Sequence, residues 1–199
     1  MNTTLAAVVL AAGLSRRMGR VKLALDWMGS PLLERALLAA AALDTAILVG
    51  GPEAVALPPG MTRVPAPAGK PAQSRSLAAG ILALPAGVAG AVVLLGDMPL
   101  VTPGLVLELA GAFRPGRFLV PVHAGMRGNP VVIPREMFAR ALSLTGDTGA
   151  RPLLAGTDAP VDYLEVDDPA VLTDVDTPED YAALTGLARR MQDGATRRR

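Results

Sequence analysis

Aliphatic runs and polar breaks alternate along this chain in the way that strands and helices take turns. Residues 5–12 form an uncharged, Ala-, Val- and Leu-rich run without polar alternation, which predicts a strand buried on both faces, and the run breaks at Gly13 into a cationic turn. Ser30 before Pro31 has the form of an N-cap followed by a first-turn proline, and the Ala- and Leu-rich stretch beyond predicts a helix from Pro31 to about Leu43. Ala46–Gly50 then reads as a second strand, parallel to the first, with that helix as its crossover. Prolines and glycines crowd residues 51–71 around a short strand at Met61–Val64, and a helix is expected to begin within Gln73–Gly80. Ala91–Leu95 is a further buried strand, Pro103 to about Phe113 a helix, and Phe118–Val122 another strand. Val131–Pro134 follows after a connection too brief for a crossover helix, so it should pair antiparallel. A helix begins near Arg151, and the last one starts after Thr177 and fades by about Met191. The sum is a single α/β domain over residues 1–191, its sheet mostly parallel with one antiparallel strand, and a flexible basic tail over 192–199.

Composition narrows the class. With 199 residues, 51% hydrophobic and 19% charged, the chain can bury a sizeable core, and with aromatics at only 3% that core is aliphatic and closely packed through small side chains. A net charge of +1 leaves no global field to attract nucleic acid or an acidic membrane, so any positive charge that matters is local. The absence of cysteine excludes disulfides and thiolate metal sites and agrees with a reducing compartment. No basic residue precedes the first apolar run, so a secretory signal is not expected and a cytoplasmic location is. Leu77 to Gly96 lacks charge and is long enough to cross a bilayer, but Pro85 and the glycines at 80, 87 and 90 cut it, and no membrane span is expected.

Candidate chemistry gathers at the breaks. Gly13 and Gly19 have no Cβ and would let a polyphosphate approach main-chain N–H groups, while Arg16, Arg17, Arg20 and Lys22 supply full charges. The spacing is neither a Walker A loop, since five residues separate the glycines, nor the Gly-x-Gly-x-x-Gly dinucleotide fingerprint. An ordinary strand-to-helix connection with solvated arginines uses the same residues. Gln73, Ser74 and Ser76 stand where a helix start would offer open N–H groups to an anion or a base edge, or where a serine simply caps. Asp97 follows a buried strand at the sheet's carboxyl edge, where ligands collect, and can hold Mg²⁺; the alternative is a turn or a cap for the helix near Pro103. Asp174 and Asp176 lie two residues apart, so in an extended segment they face one side; Asp176 is the candidate second ligand, and Thr177-Pro178 otherwise makes a helix start. His123, the only histidine, is expected to be a hydrogen-bonded loop imidazole. Asn129 occupies a turn, and Arg151 stands at a helix start behind a capping Asp147.

The stretch Leu10-Ala-Ala-Gly-Leu-Ser-Arg-Arg-Met-Gly-Arg-Val-Lys22 resembles the opening signature Leu-Ala-(Ala/Gly)-Gly-x-x-x-Arg-Met-Gly-x-x-Lys of the MobA-like NTP transferases, and within them the molybdenum cofactor cytidylyltransferases. Ser76-Leu-Ala-Ala-Gly80, Gly96-Asp-Met-Pro99, Arg127-Gly-Asn-Pro130 and Gly146-Asp-Thr-Gly-Ala-Arg151 resemble further elements of that family, so the likeness runs from Leu10 to Tyr181. It implies a Rossmann-like three-layer α/β/α nucleotidyltransferase fold. It also implies that CMP passes from CTP to the terminal phosphate of molybdopterin carrying molybdenum, with Mg²⁺ as cofactor, pyrophosphate as second product and a molybdenum hydroxylase as recipient. By the same likeness Arg17, Lys22 and Asp97 are catalytic. Leu10, Ala11, Ala12, Gly13, Ser15, Gly19, Gln73, Ser74 and Ser76 line the nucleotide, Asn129 and Arg151 face the acceptor, and Asp97 with Asp176 holds the metal. Guanylyl-transferring relatives tend to have Gly-Gly where this chain has Ala12-Gly13, and the Ala12 methyl narrows the space beside the base in favour of a pyrimidine. Two alternatives stay open: another nucleotide and a different organic or sugar phosphate as acceptor, or a non-catalytic protein that binds and delivers the finished cofactor.

Overall fold

The computed structural model describes residues 4–13, 21–69, 72–147, 149–155 and 159–196, with the backbone alone over 188–196. The first strand, β1 (Leu5–Ala11), is buried at every position. After it a 3-10 turn over Lys22–Ala24 leads into a two-stranded hairpin, β2 (Asp26–Trp27) and β3 (Ser30–Pro31). Here the sequence expectation is corrected. Ser30 is a strand residue and not a helix cap, because Met28 and Gly29 both take positive φ (56° and 87°), the geometry of a tight hairpin turn. Helix α1 (Leu32–Ala40) consequently starts behind Pro31 without a side-chain cap and stops short of Leu43.

Strands β4 (Ala46–Gly50) and β5 (Met61–Val64) follow, then α2 (Gln73–Leu82), β6 (Gly90–Leu95), α3 (Pro103–Ala112), β7 (Phe118–His123), the two-residue β8 (Met126–Arg127) and β9 (Val131–Pro134). A 3-10 turn over Arg135–Met137 runs into α4 (Phe138–Leu142), and α5 (Arg151–Ala155), β10 (Val161–Glu165), a 3-10 turn over Pro169–Leu172 and α6 (Pro178–Thr196) complete the chain. The last helix continues beyond its expected end near Met191.

The sheet order is β10-β7-β9-β6-β1-β4-β5, with β8 attached to β7. All strands on that path are parallel to β1 except β9, which runs antiparallel between β6 and β7; β8 adds a short antiparallel hairpin. Because side chains alternate across a strand, β1 feeds two cores. Leu5, Ala7, Val9 and Ala11 pack with α1 and α3 on one face, whereas Val8 and Leu10 pack with Leu77 and Ile81 of α2, Ala141 of α4 and Leu153 of α5 on the other. This is the three-layer α/β/α architecture, and it explains why the opening run shows no polar alternation. Small residues set the layer spacing: a Cβ on Gly80 would lie 2.3 Å from Cγ1 of Val8, so α2 approaches the sheet only because that position is glycine. The charge-free stretch from Leu77 to Gly96 is divided between α2 and β6, and among the described residues no helix is long and apolar enough to cross a membrane.

Candidate active site

Parallel strands place their following loops on one edge of the sheet, and three such segments converge at the β1/β6 junction. β1 ends at Ala11, and Ala12 and Gly13 continue from it. Ala12 is backed by the end of β4: Gly50, at φ +75°, has no Cβ, and one placed there would lie 3.0 Å from that of Ala12. Residues 14–20, which carry Ser15, Arg17 and Gly19, lie outside the described residues. The chain resumes at Val21, and the buried Leu23 anchors the 3-10 turn that projects Lys22.

Asp97 stands two residues past β6. Its strand is in register with β1 from Leu5 to Leu10, and the Gly96 N–H donates to the Leu10 carbonyl at 2.9 Å, which brings Asp97 beside the end of β1. Asp176 arrives from the other end of the chain. The Val175 N–H donates to the Asp97 carbonyl at 3.0 Å, and Val175 itself is buried, pinning the Asp174–Asp176 segment to the β6 loop. The N–H groups of Asp176 and Thr177 donate to the Asp180 carboxylate at 3.0 and 2.8 Å, and the Asp180 N–H donates to the Thr177 hydroxyl at 3.2 Å. This reciprocal cap starts α6 and fixes the backbone that carries Asp176.

Between these segments the Lys22 ammonium donates to Asp97 Oδ2 and to Asp176 Oδ1, each at 2.7 Å, with only 8% of the lysine exposed. Burial works against the ammonium, but Asp97 and Asp176 outweigh it and hold its pKa above the ordinary lysine value. A third carboxylate, Asp174, stands near the pair. Asp174, still open to solvent, has its carboxyl raised above the ordinary aspartate value by partial desolvation first and then by repulsion from Asp176 and Asp97. Oδ1 of Asp97 is buried without a hydrogen-bond partner among the described residues, a costly state for an anionic oxygen. Asp97 does not cap the helix near Pro103, because Thr102 does so by accepting from the Leu105 N–H.

These features fit a divalent cation. The donors are hard carboxylate oxygens, and among the described residues one buried oxygen, Asp97 Oδ1, is unanswered. Among the described residues no group of three or more His, Cys, Asp and Glu side chains is placed to hold an ion. Two carboxylates supplemented by phosphate and water suit Mg²⁺, which keeps several waters and binds through few protein ligands.

On the opposite face, at the same edge, the start of α2 is covered by another loop. The Gln73 N–H donates to Asp147 Oδ1 at 3.0 Å, and the buried Ser74 hydroxyl donates to the Gly146 carbonyl at 2.7 Å. Ser76 is also buried, its hydroxyl directed at the Ala72 carbonyl at 3.4 Å. The helix start expected to be open is therefore met in part by the protein's own carboxylate, Asp147, which accepts from the first residue of α2. Arg151 is exposed at the first position of α5. Asn129 is half-buried: its N–H donates to the Val171 carbonyl at 2.9 Å, and its neighbour Gly128 packs so tightly that a Cβ would lie 2.4 Å from that same oxygen. The Asn129 turn is thus docked on the segment that leads to Asp174 and Asp176. His123 is the last residue of β7 and not a loop residue, but it is hydrogen-bonded as expected, its Nδ1 sharing a bond with the Val166 carbonyl at 2.9 Å.

Sequence reasoning missed Asp180, whose signal was the Thr-x-x-Asp spacing at 177–180. It also missed Arg63, whose guanidinium donates to the carbonyls of Gly50, Gly51, Pro52 and Val55 and holds the loop behind Ala12. Nothing local marks Arg63, since its partners are main-chain atoms.

A family model described as the MobA-like NTP transferase domain matches residues 7–163. The chain belongs to the MobA-like NTP transferase family. Family membership covers the Lys22 and Asp97 segments and stops before Asp176. The chain is 34% identical over 195 residues to the purine catabolism protein PucB of Bacillus subtilis (strain 168), covering 89% of this chain and 94% of that protein. It is 27% identical over 184 residues to the molybdenum cofactor cytidylyltransferase of Escherichia coli (strain K12), covering 87% and 92%. Among solved structures it is similar to Rv0371c of Mycobacterium tuberculosis H37Rv in complex with manganese, with a TM-score of 0.79, 29% identity and coverage of 92% and 99%. As a MobA-like transferase the chain is a nucleotidyltransferase, and the α/β fold agrees with that of its structural neighbours.

Proposed function

We propose that this MobA-like transferase moves CMP from CTP to the terminal phosphate of molybdopterin carrying molybdenum, releasing pyrophosphate. The observation that carries the reading is the meeting of Lys22, Asp97 and Asp176 at the carboxyl edge of the sheet, next to the end of the family's opening signature. In the reaction an acceptor phosphate oxygen bonds to the α-phosphorus as the bond from that phosphorus to the β-phosphate oxygen breaks. Both reactants are anions, and their mutual repulsion is a large part of the barrier. Lys22, with Arg17 from residues 14–20, offsets charge on the triphosphate and on the departing pyrophosphate. Asp97 and Asp176 would hold Mg²⁺, which neutralises phosphate charge when bound. A phosphate monoester is mostly dianionic near pH 7, so the nucleophile needs no general base and the site needs no catalytic histidine.

Gly13, Gly19 and the Ala12 neighbourhood receive the nucleotide, with Leu10, Ala11, Ser15, Gln73, Ser74 and Ser76 around it. Asn129 and Arg151 face the acceptor. The likeness to a molybdenum cofactor cytidylyltransferase supports CTP and a pterin phosphate as substrates, and a relative named for purine catabolism suits a product destined for a molybdenum hydroxylase. The likeness to a manganese-bound structure supports a divalent metal. Pyrophosphate release from CTP, GTP and ATP, each with and without molybdopterin and Mg²⁺, tests the reading. Release that needs CTP, molybdopterin and Mg²⁺ together is the expected result. Release with another nucleotide or acceptor would reassign the substrates, and no release under any combination would favour a cofactor-delivery role.

A further inference from the structure

We propose that the Lys22 ammonium is a resident cation of the acidic site, exchanged for the divalent ion when the triphosphate arrives, so that metal and nucleotide bind with positive coupling through this one side chain. The inference rests on the reading that Asp97 and Asp176 hold the ion. It starts from position. An ammonium in contact with Asp97 Oδ2 and Asp176 Oδ1 stands between the two carboxylates, which is the space an ion shared by them would need. Two cations cannot occupy that space together, because repulsion at contact distance in a partly buried site is large. The ion therefore enters only as Lys22 leaves.

Charge and hydrogen bonding both favour that exchange. Among the described residues the Lys22 ammonium bonds one oxygen of each of two carboxylates, Asp97 Oδ2 and Asp176 Oδ1, so a divalent ion in its place would bring twice the charge to the same pair. Among the described residues the ammonium also leaves Asp97 Oδ1 buried and unbonded, an acceptor that an ion with its own water ligands is better equipped to answer. Departure takes a mostly buried lysine away from Asp97 and Asp176, so a new anionic partner favours it. A triphosphate offers one, since Lys22 stands at the sheet edge proposed to receive the nucleotide and its ammonium sits on a flexible four-carbon stem. In the absence of nucleotide the lysine holds the two carboxylates together and shields them, which keeps the site assembled but resists a free ion.

The test uses the full-length protein and Mn²⁺ as the probe, with binding read from the electron paramagnetic resonance signal of the free ion. Titrations are run with and without a non-hydrolysable CTP analogue and corrected for Mn²⁺ bound by the analogue itself. Wild type should bind Mn²⁺ about tenfold more tightly with the analogue than without it, within the usual range of coupling between two sites. Lys22→Met, which removes the charge and keeps the length, should bind Mn²⁺ alone about tenfold more tightly than wild type and lose most of the response to the analogue. Lys22→Arg keeps the competing charge and should leave Mn²⁺ alone as weakly bound as in wild type. If Lys22→Met binds Mn²⁺ no more tightly than wild type, or if Lys22→Arg tightens binding as Met does, the exchange is wrong. Asp97→Asn separates that failure from failure of the metal site: loss of Mn²⁺ in this variant keeps the site, whereas no Mn²⁺ binding in wild type under either condition removes both.

Discussion

Ala12 presents a single methyl group beside the proposed base position, backed by Gly50 and by a loop whose carbonyls Arg63 gathers. Removing that methyl should admit a larger base. Ala12→Gly is expected to lower the preference for CTP over GTP by about tenfold in kcat/KM, the lower end of what one carbon in a pocket is worth, as measured by pyrophosphate release with each nucleotide. An unchanged ratio would place base selection elsewhere. Lys22, Asp97 and Asp176 were legible in the sequence because each sits in a short pattern whose chemistry depends on residue type. Asp180 and Asp147 were not legible in the same way. Their partners are main-chain N–H groups, and for Asp147 the partner is Gln73, which only the tertiary fold brings near.

Strands β1, β4 and β6 and helix α2 could be read from the chain because continuous aliphatic runs, glycine breaks and a serine-rich start leave few other solutions. The β2–β3 hairpin could not, since Ser30-Pro31 imitates a helix start and the left-handed backbone at Met28 is not marked by its residue type. Helix α2 also rests on a position without a side chain. Gly80→Ala would drive a Cβ to 2.3 Å from Val8 Cγ1 and should destabilise the protein by about 1–3 kcal/mol, the usual range for overpacking. Denaturant unfolding measures the loss. Combining it with Val8→Ala should cost less than the two single changes added, because the second change removes the clashing methyl.

Edge strand β10 supplies a pH-dependent prediction. Asp162 pairs with Arg117 at 2.5 Å and Arg114 at 2.7 Å, tying β10 to the turn between α3 and β7. Its carboxyl is held below the ordinary aspartate value, by the Arg117 hydrogen bond first and then by Arg114. A carboxylate with a lower pKa in the folded state contributes stability above its unfolded pKa, and that contribution is lost as pH falls through the folded value. Wild type should therefore exceed Asp162→Asn in stability near neutrality, and the gap should close below about pH 4, the ordinary aspartate range. Urea midpoints for both proteins from neutral to acid pH read this directly. Salt should narrow the neutral gap through Arg114, whose side chain is largely exposed.

The molecule as a whole brings residue 22, residue 97 and residue 176 together from segments that share no local contact in the unfolded chain, so the site exists only in the folded state. Ligands that bind it must then stabilise the fold by mass action. At about a hundred times the dissociation constant the gain is roughly 2.7 kcal/mol, and for a chain of this size each kcal/mol moves Tm by about 2–4 °C. CTP and Mg²⁺ supplied together should raise Tm by about 5–10 °C on this reckoning, and by more than the sum of the shifts each gives alone if the metal and the triphosphate meet in one site. Chelation with EDTA should return Tm to the value seen with CTP alone. Asp97→Asn should keep an unliganded Tm close to wild type, because Lys22 retains Asp176 as a partner, but lose the extra shift that Mg²⁺ confers. A full shift in that variant would mean that the metal is held without Asp97, and the proposed site would have to be rebuilt around other ligands.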